Sequence, residues 1–344
     1  MNYLRGSILL RLAALGTLLA ISGALTFGYL GWLHPAFDSF SHFRIHLAAG
    51  LFVAGIPLLL LFRYWPEAIF AALFSVTTIV QTVGLPLPSQ VSTVNASSTP
   101  HAGAVYRLLH MNLRYDNPTP EAVFSLIGRE KPDIITMNEV SAYWVEKLAI
   151  LKGAYPYQLI CPPPAYIGGT AIVSRRPFAE GFAPECGDRG SFGHVSLDMN
   201  GRKLDVASLH LGWPWPFEQP WQLPHIEPLL GAIDGTAIIA GDLNAVPWSQ
   251  TAKRVSAAGG TELLRGIGPT YLDRRFPAWM RPLIGLPIDN MMAKGGIVPV
   301  GLTRMEAVGS DHLPILFEFM LMPQEEPASV LHADAGSTAS KSPI

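Results

Sequence analysis

Ala237-Ile238-Ile239-Ala240-Gly241-Asp242-Leu243-Asn244 is an apolar run closed by an acid and an amide. A short apolar run bounded in this way reads as a buried strand. Three more runs end alike. Leu108-Leu109-His110-Met111 stops at Asn112, Ile134-Ile135-Thr136-Met137 at Asn138-Glu139, and Val206-Ala207-Ser208-Leu209 at His210. In layered α/β folds, sites form at the carboxyl ends of strands. Four buried strands that each deliver an acid, amide or imidazole there make chance a poor explanation. Asp289-Asn290 and Asp311-His312 stand instead at strand beginnings, as they should if those strands run the opposite way to the same rim.

Outward from these runs, helices are expected over 120–129, 142–151, 221–233 and 249–258, with Thr119 as an N-cap and Pro120 in the first helical position. Further strands are expected over 170–173, 195–199, 204–209, 288–292, 298–303 and 313–320, with Gly201 in a hairpin turn. Strands and helices that alternate over about 220 residues argue for α/β layers. No internal repeat is visible.

The N-terminal part is different. Hydrophobic residues make up 49% of the 344 and charged residues only 15%. That is too apolar for an ordinary soluble protein. The excess lies in residues 1–88, an all-α transmembrane region of about three helices with spans near 12–33, 46–63 and 67–87. A cleaved signal peptide ending near Ser22-Gly23-Ala24 is the other reading of the first run. Both readings give one topology. Arg5, Arg11 and Arg63 mark cytoplasmic ends, so the chain after the last span emerges outside. Residues 89–103, rich in Ser, Thr and Pro, form a linker; 104–322 form the globular domain; 323–344 are expected to be a disordered tail.

Net charge is −2, and residues 101–322 carry 19 Lys and Arg against 21 Asp and Glu. No global basic bias points to nucleic acid. Cys161 and Cys186 are the only cysteines, and no Cys/His cluster suggests zinc. Outside the cytoplasm such a pair usually joins, but the sequence does not show whether these two lie within bonding distance. The acids and amides at the strand ends are oxygen donors that suit a hard cation, Mg²⁺ or Mn²⁺. Together with two histidines they equip a site for in-line phosphoester hydrolysis.

In order, Asn112, Glu139, His210, Gly241-Asp242-Leu243-Asn244, Asp289 and Ser310-Asp311-His312-Leu313-Pro314 resemble the endonuclease/exonuclease/phosphatase superfamily. Gly169-Thr170-Ala171-Ile172-Val173-Ser174-Arg175 resembles its strand of the form G-x-A-I-L-S-R. The three-span N-terminus resembles a bacterial membrane-bound branch. The resemblance implies a four-layer α/β sandwich, two packed mixed sheets flanked by helices. It implies Glu139 as the main metal ligand with Asn112 beside it and Asp311 as an outer ligand. It gives Asp242 the attacking water, Asn244 the phosphoryl oxygens, His210 the phosphate or the leaving group, and His312, oriented by Asp289, contact with the scissile phosphate or the role of base. Asn138 stands where members often have Gln, and Asn290 where His or Tyr often follows the acid.

His110 and His194 match nothing in the pattern and read as structural, and His225 has no place in it. Trp213, Trp215, Phe217 and Trp221 follow His210 in a Pro-rich segment. They are either an aromatic lip that dips into lipid or a loop folded on its own aromatics. A second apolar stretch, 276–287, directly precedes Asp289. The expected function is a membrane-anchored, extracytoplasmic, metal-dependent phosphoesterase acting on a lipid-linked or small phosphoester at the bilayer. The alternatives are a membrane-tethered nuclease acting on DNA or RNA, and an inactive binding module. No feature points to a protein partner.

Overall fold

A computed structural model describes residues 2–84, 104–162 and 166–322. Four helices come first: α1 (Asn2–Phe27), α2 (Pro35–Ser41), α3 (Arg44–Leu60) and α4 (Trp65–Val83). The α/β part follows as β1 (Val105–Asn112), α5 (Pro120–Glu130), β2 (Ile134–Val140), α6 (Ala142–Leu148), β3 (Tyr157–Ile160), β4 (Gly169–Ser174), β5 (Glu185–Gly187), β6 (Phe192–Asp198) and β7 (Lys203–His210). It continues with α7 (Gln219–Gly231), β8 (Ala237–Asp242), α8 (Gln250–Gly259), β9 (Glu262–Leu263), α9 (Arg281–Ile284), β10 (Asp289–Lys294), β11 (Ile297–Arg304) and β12 (Ile315–Leu321).

The strands form two six-stranded mixed sheets, ordered β11-β12-β1-β2-β4-β3 and β5-β6-β7-β8-β10-β9. The apolar runs are continuous because each strand is covered on both faces, and neighbouring residues enter different cores. Leu108, Ile134, Val206 and Ile238 pack between the sheets. Leu109 and Ile135 face outward to Val123 and Leu126 of α5 and Trp144 of α6. Ala207 and Ile239 face outward to Leu223 and Ile226 of α7 and Val255 of α8. The result is the expected four-layer sandwich. Each fully buried Leu, Ile or Phe contributes roughly 1.5–3 kcal/mol.

β12 runs antiparallel to β1, and β10 antiparallel to β8. Residues at the starts of β10 and β12 therefore meet the ends of β1, β2, β7 and β8. Three strands escape the sequence pattern. β3 is half-buried at a sheet edge, while β5 and β9 have only three and two residues. Thr119 occupies the N-cap position of α5, but its hydroxyl donates to Asn117 Oδ1 at 3.2 Å instead of capping. Cys161, just after β3, and Cys186, in β5, form a disulfide with Cα atoms 5.6 Å apart. It joins the neighbouring edges of the two sheets.

Ile8–Phe27 and Trp65–Val83 are each long and apolar enough to cross a membrane. α2 and α3, bent by 66°, make a third candidate if they count as one span. α1 ends at Phe27, short of residue 33, and Trp32 and Leu33 lie in the turn that follows. Leu18, Leu25, Leu51, Leu58, Ala68 and Ala71 form the bundle's core. Gly55 faces Ala71 so closely that a Cβ there would lie 3.1 Å from the alanine methyl, so small residues let α3 and α4 approach. The Arg11 guanidinium lies 5.8 Å from the Phe62 ring centroid, which places the start of α1 beside the α3–α4 turn. Residues 85–103, with the expected linker, and the expected tail 323–344 lie outside the described residues.

Candidate active site

The eight expected site residues gather at one rim of the sandwich. Glu139, His210, Asp242, Asn244, Asp311 and His312 line a cavity of about 530 Å³. Asn112 and Asp289, 2% and 1% exposed, stand directly behind it. Backbone geometry explains the convergence. His210 and Asp242 are partners across the parallel β7–β8 pair, and Asp289 faces Asp242 across β10–β8. Gly241 lies against the Leu209 carbonyl, where a Cβ would collide, so only glycine lets β7 and β8 close at this point. Gly309, at φ +87°, packs against Thr119 and Asn117 and turns Ser310-Asp311-His312 into the rim. Glu139 and Asn244 hold left-handed backbone, φ +56° and +45°. Non-glycine residues adopt that conformation at a cost, and such sites cluster where function is.

Asp242 is the hub. Its Oδ2 accepts from Asn112 Nδ2 at 3.0 Å and lies 3.6 Å from His312 Nε2 and 3.9 Å from His210 Nε2. Its Oδ1 accepts from the Asn244 backbone at 2.8 Å, and its own N–H donates to Asn138 Oδ1 at 2.8 Å. His312 Nδ1 lies 2.8 Å from Asp289 Oδ2, and the Ser310 hydroxyl accepts from the His312 backbone at 3.0 Å. Burial raises the Asp242 carboxyl above its usual range against the pull of His312, and Asp289 adds to the rise. Burial also works to raise Asp289, but facing His312 and His110 outweigh it and hold that carboxyl well below the usual range. Burial would lower His312; Asp289 and Asp242 outweigh it and push the imidazole up to about 10.

Glu139 accepts from Asn112 Nδ2 at 3.0 Å through Oε1 and from the Tyr115 backbone at 2.9 Å through Oε2. One amide nitrogen thus joins the Glu139 and Asp242 carboxylates. The Asn112 oxygen accepts the Arg114 N–H at 2.9 Å, so serving as an oxygen ligand would require the Asn112 amide to turn over. The Asn244 amide nitrogen donates to the Leu211 carbonyl at 2.8 Å. Asp242, Asp289 and His312 also offer ligand atoms within 4.8 Å of one another. Carboxylate oxygens facing one cavity, with no thiolate beside them, fit a hard divalent cation. Arg189 is the one Lys or Arg lining this cavity among the described residues, against Glu139, Asp188, Glu218, Asp242 and Asp311.

Several participants were not legible beforehand. His110 Nε2 lies 3.5 Å from Asp289 Oδ1, and its Nδ1 lies 3.0 Å from Thr136 Oγ1. Its place two residues before Asn112, on the same face of β1, was the available signal. The Tyr271 ring packs tilted against that of His312, with centroids 5.1 Å apart. Asn290, in the position that departs from the superfamily pattern, donates to the Ala245 carbonyl at 2.7 Å and braces the loop after Asp242. His194 pairs with Asp205 at 3.2 Å, the structural role expected of it. His225 lines a separate, smaller cavity. Trp213, Trp215 and Phe217 line the main cavity and are 54%, 42% and 56% exposed, which favours the lip over the self-folded loop.

A family model described as Endonuclease/Exonuclease/phosphatase family matches residues 109–312. The chain belongs to this family. Family members are hydrolases of phosphoester bonds, and the family is divalent-metal dependent. No curated protein matches the chain. Among solved structures, the endonuclease/exonuclease/phosphatase from Bacteroides vulgatus is similar at 16% identity and TM-score 0.53, over 64% of this chain and 100% of that one. D. rerio TDP2 complexed with single strand DNA product is similar at 16% identity and TM-score 0.51, over 63% and 99%. At such identities the likeness concerns the fold of the endonuclease/exonuclease/phosphatase family and not the substrate.

Proposed function

We propose that this chain is a membrane-anchored, extracytoplasmic, divalent-metal-dependent phosphoesterase, and that its substrate is a lipid-linked or other small phosphoester. The observation that carries the substrate preference is the lining of the cavity. Carboxylates and histidines sit at its floor, exposed Trp213, Trp215 and Phe217 at its wall, and a single arginine among the described residues that line it. Extended nucleic acid needs a cationic track for its phosphates. An amphiphile needs one phosphate site beside an apolar surface.

The chemistry follows from the side chains. Asp242 holds the attacking water and takes its proton as the new P–O bond forms and the P–O bond to the leaving group breaks. Asp289 accepts from Nδ1 of His312, which leaves Nε2 toward Asp242 and the cavity to meet a phosphoryl oxygen. His210 and Asn244 border the same space, on the side of the phosphoryl oxygens or the leaving group. A divalent cation held by Glu139, with Asn112 and Asp311 near it, supplies neutralisation of the phosphate when bound.

The outer location rests on Arg5, Arg11 and Arg63 and on the disulfide, which belongs to an oxidising compartment. The deciding assay gives the detergent-solubilised full chain plasmid DNA and mixed phospholipid or polyprenyl-phosphate micelles with Mg²⁺. Lipid phosphoester turnover is the expected outcome. Efficient DNA cleavage that needs His312, without lipid turnover, overturns the substrate preference.

A further inference from the structure

The helix between the first two apolar segments does not stand apart from the active site. Asp38 of α2 is 5% exposed, and its carboxylate accepts backbone N–H groups from Gln250 at 2.7 Å and Thr251 at 2.9 Å. These are first-turn donors of α8, which lack partners within their own helix. Ser249 caps Ala252 on the same turn at 3.0 Å. A buried carboxylate is costly unless hydrogen-bonded, so these contacts fix α2 to the α/β part in one register. Trp248 Nε1 donates to the Ser41 carbonyl at 2.7 Å, and the Ser39 hydroxyl donates to the Trp215 carbonyl at 3.0 Å.

The docked segment reaches the catalytic machinery. His42 is 5% exposed and its Nε2 lies 3.0 Å from the Asn244 carbonyl, two residues beyond Asp242. Ser39, His42 and Phe43 line the same cavity as Asp242 and His312. The segment from His34, before α2, to His46, in the first turn of α3, also touches both apolar loops. The His34 ring lies 6.0 Å from that of Trp215, and His46 Nε2 lies 3.2 Å from the Leu283 carbonyl. Trp279 and Leu283 are 71% and 69% exposed beside it. The mouth of the cavity is therefore built partly from the segment joining two apolar helices, and Phe43, Trp213, Trp215 and Phe217 are exposed aromatic side chains in its lining.

We propose that Asp38–Phe43 is a working wall of the catalytic cavity, in which His42 positions Asn244 and Phe43 packs on the apolar chain of an amphiphilic phosphoester. This deepens the phosphoesterase reading and rests on it. Phe43 is the specificity-determining residue. It is 49% exposed, so truncating it removes contact surface at the cavity and leaves the buried core untouched. His42 is a positioning residue, and Asp38 keeps both in place.

The test uses the full chain in nanodiscs of one defined phospholipid. Binding of hexadecylphosphonate and methylphosphonate, neither of which has an ester bond to hydrolyse, is read by tryptophan fluorescence. Partition of the long chain into the bilayer is common to all variants and cancels between them. Phe43→Ala is expected to lower the ratio of hexadecyl to methyl affinity about tenfold or more, the scale for exposing a few methylenes. Asp38→Ala should lower the same ratio, and Asp38→Asn, which keeps one acceptor oxygen, should recover part of it. A ratio unchanged in both Phe43→Ala and Asp38→Ala overturns the inference. Hydrolysis of methyl p-nitrophenyl phosphate by the unmodified chain, measured in parallel with Mg²⁺, tests the phosphoesterase reading separately. No hydrolysis there with the binding ratio shifted as expected counts against that reading and for the wall.

Discussion

Asp289 is bonded to His312 through Oδ2 and Nδ1 at 2.8 Å while its other oxygen faces His110 at 3.5 Å. One buried carboxylate thus fixes the direction of the imidazole that faces Asp242 and favours its charged form.

Breaking that relationship should impair catalysis without removing a group from the cavity surface. Asp289→Asn is expected to lower kcat about 10²-fold or more, the order seen when an acid–base group loses its support. Steady-state kinetics on a phosphodiester dye give the number. A near-normal kcat in a correctly folded protein would show that Asp289 does not orient His312.

Metal removal and loss of either central carboxylate should converge on one outcome. EDTA should abolish hydrolysis and Mg²⁺ should restore it. Glu139→Gln and Asp242→Asn should each lose about 10³-fold in kcat, or roughly 4 kcal/mol of transition-state stabilisation. Either variant working normally in the folded state would falsify the assignment of that residue.

Orientation in the membrane can be read directly. With Arg11 beside the α3–α4 turn and α2 docked on the α/β part at the other end, alkaline phosphatase fused after Met320 is expected to be active. An inactive fusion there, with an active cytoplasmic-type reporter at the same point, reverses the topology.

The Cys161–Cys186 bridge closes a loop of 25 residues and ties the edge strands of the two sheets. Replacing both by serine is expected to cost about 3 kcal/mol. Chemical denaturation of the oxidised and double-serine proteins measures the difference. Thiol titration of denatured, unreduced protein should find no free thiol, and two free thiols end the idea.

The sequence's hydrophobic period and polar punctuation by themselves determine much of this protein. Runs such as 237–240, and 206–209 apart from the small Ser208, are apolar because both faces of each strand are covered, and the polar residue that ends each run had to lie at a strand end. That placed Asn112, Glu139, His210 and Asp242 on one rim, with Asp289 and His312 meeting them from strands of opposite direction. The apolar N-terminal helices were equally plain. The short edge strands β5 and β9 were not, since two or three residues carry no period. The disulfide was open because distance is absent from a sequence; only the adjacency of the two sheet edges brings the cysteines together. Side-chain direction was likewise a tertiary matter. The Arg114 N–H turns the amide of Asn112, and Asp289 recruits His110 from the facing sheet. The deepest gap concerns Asp38, which meets Gln250 across 212 positions of chain. A lone acid between two apolar helices reads as a solvated turn, and only the folded chain shows that its partners are the unpaired N–H groups of a helix in the α/β part.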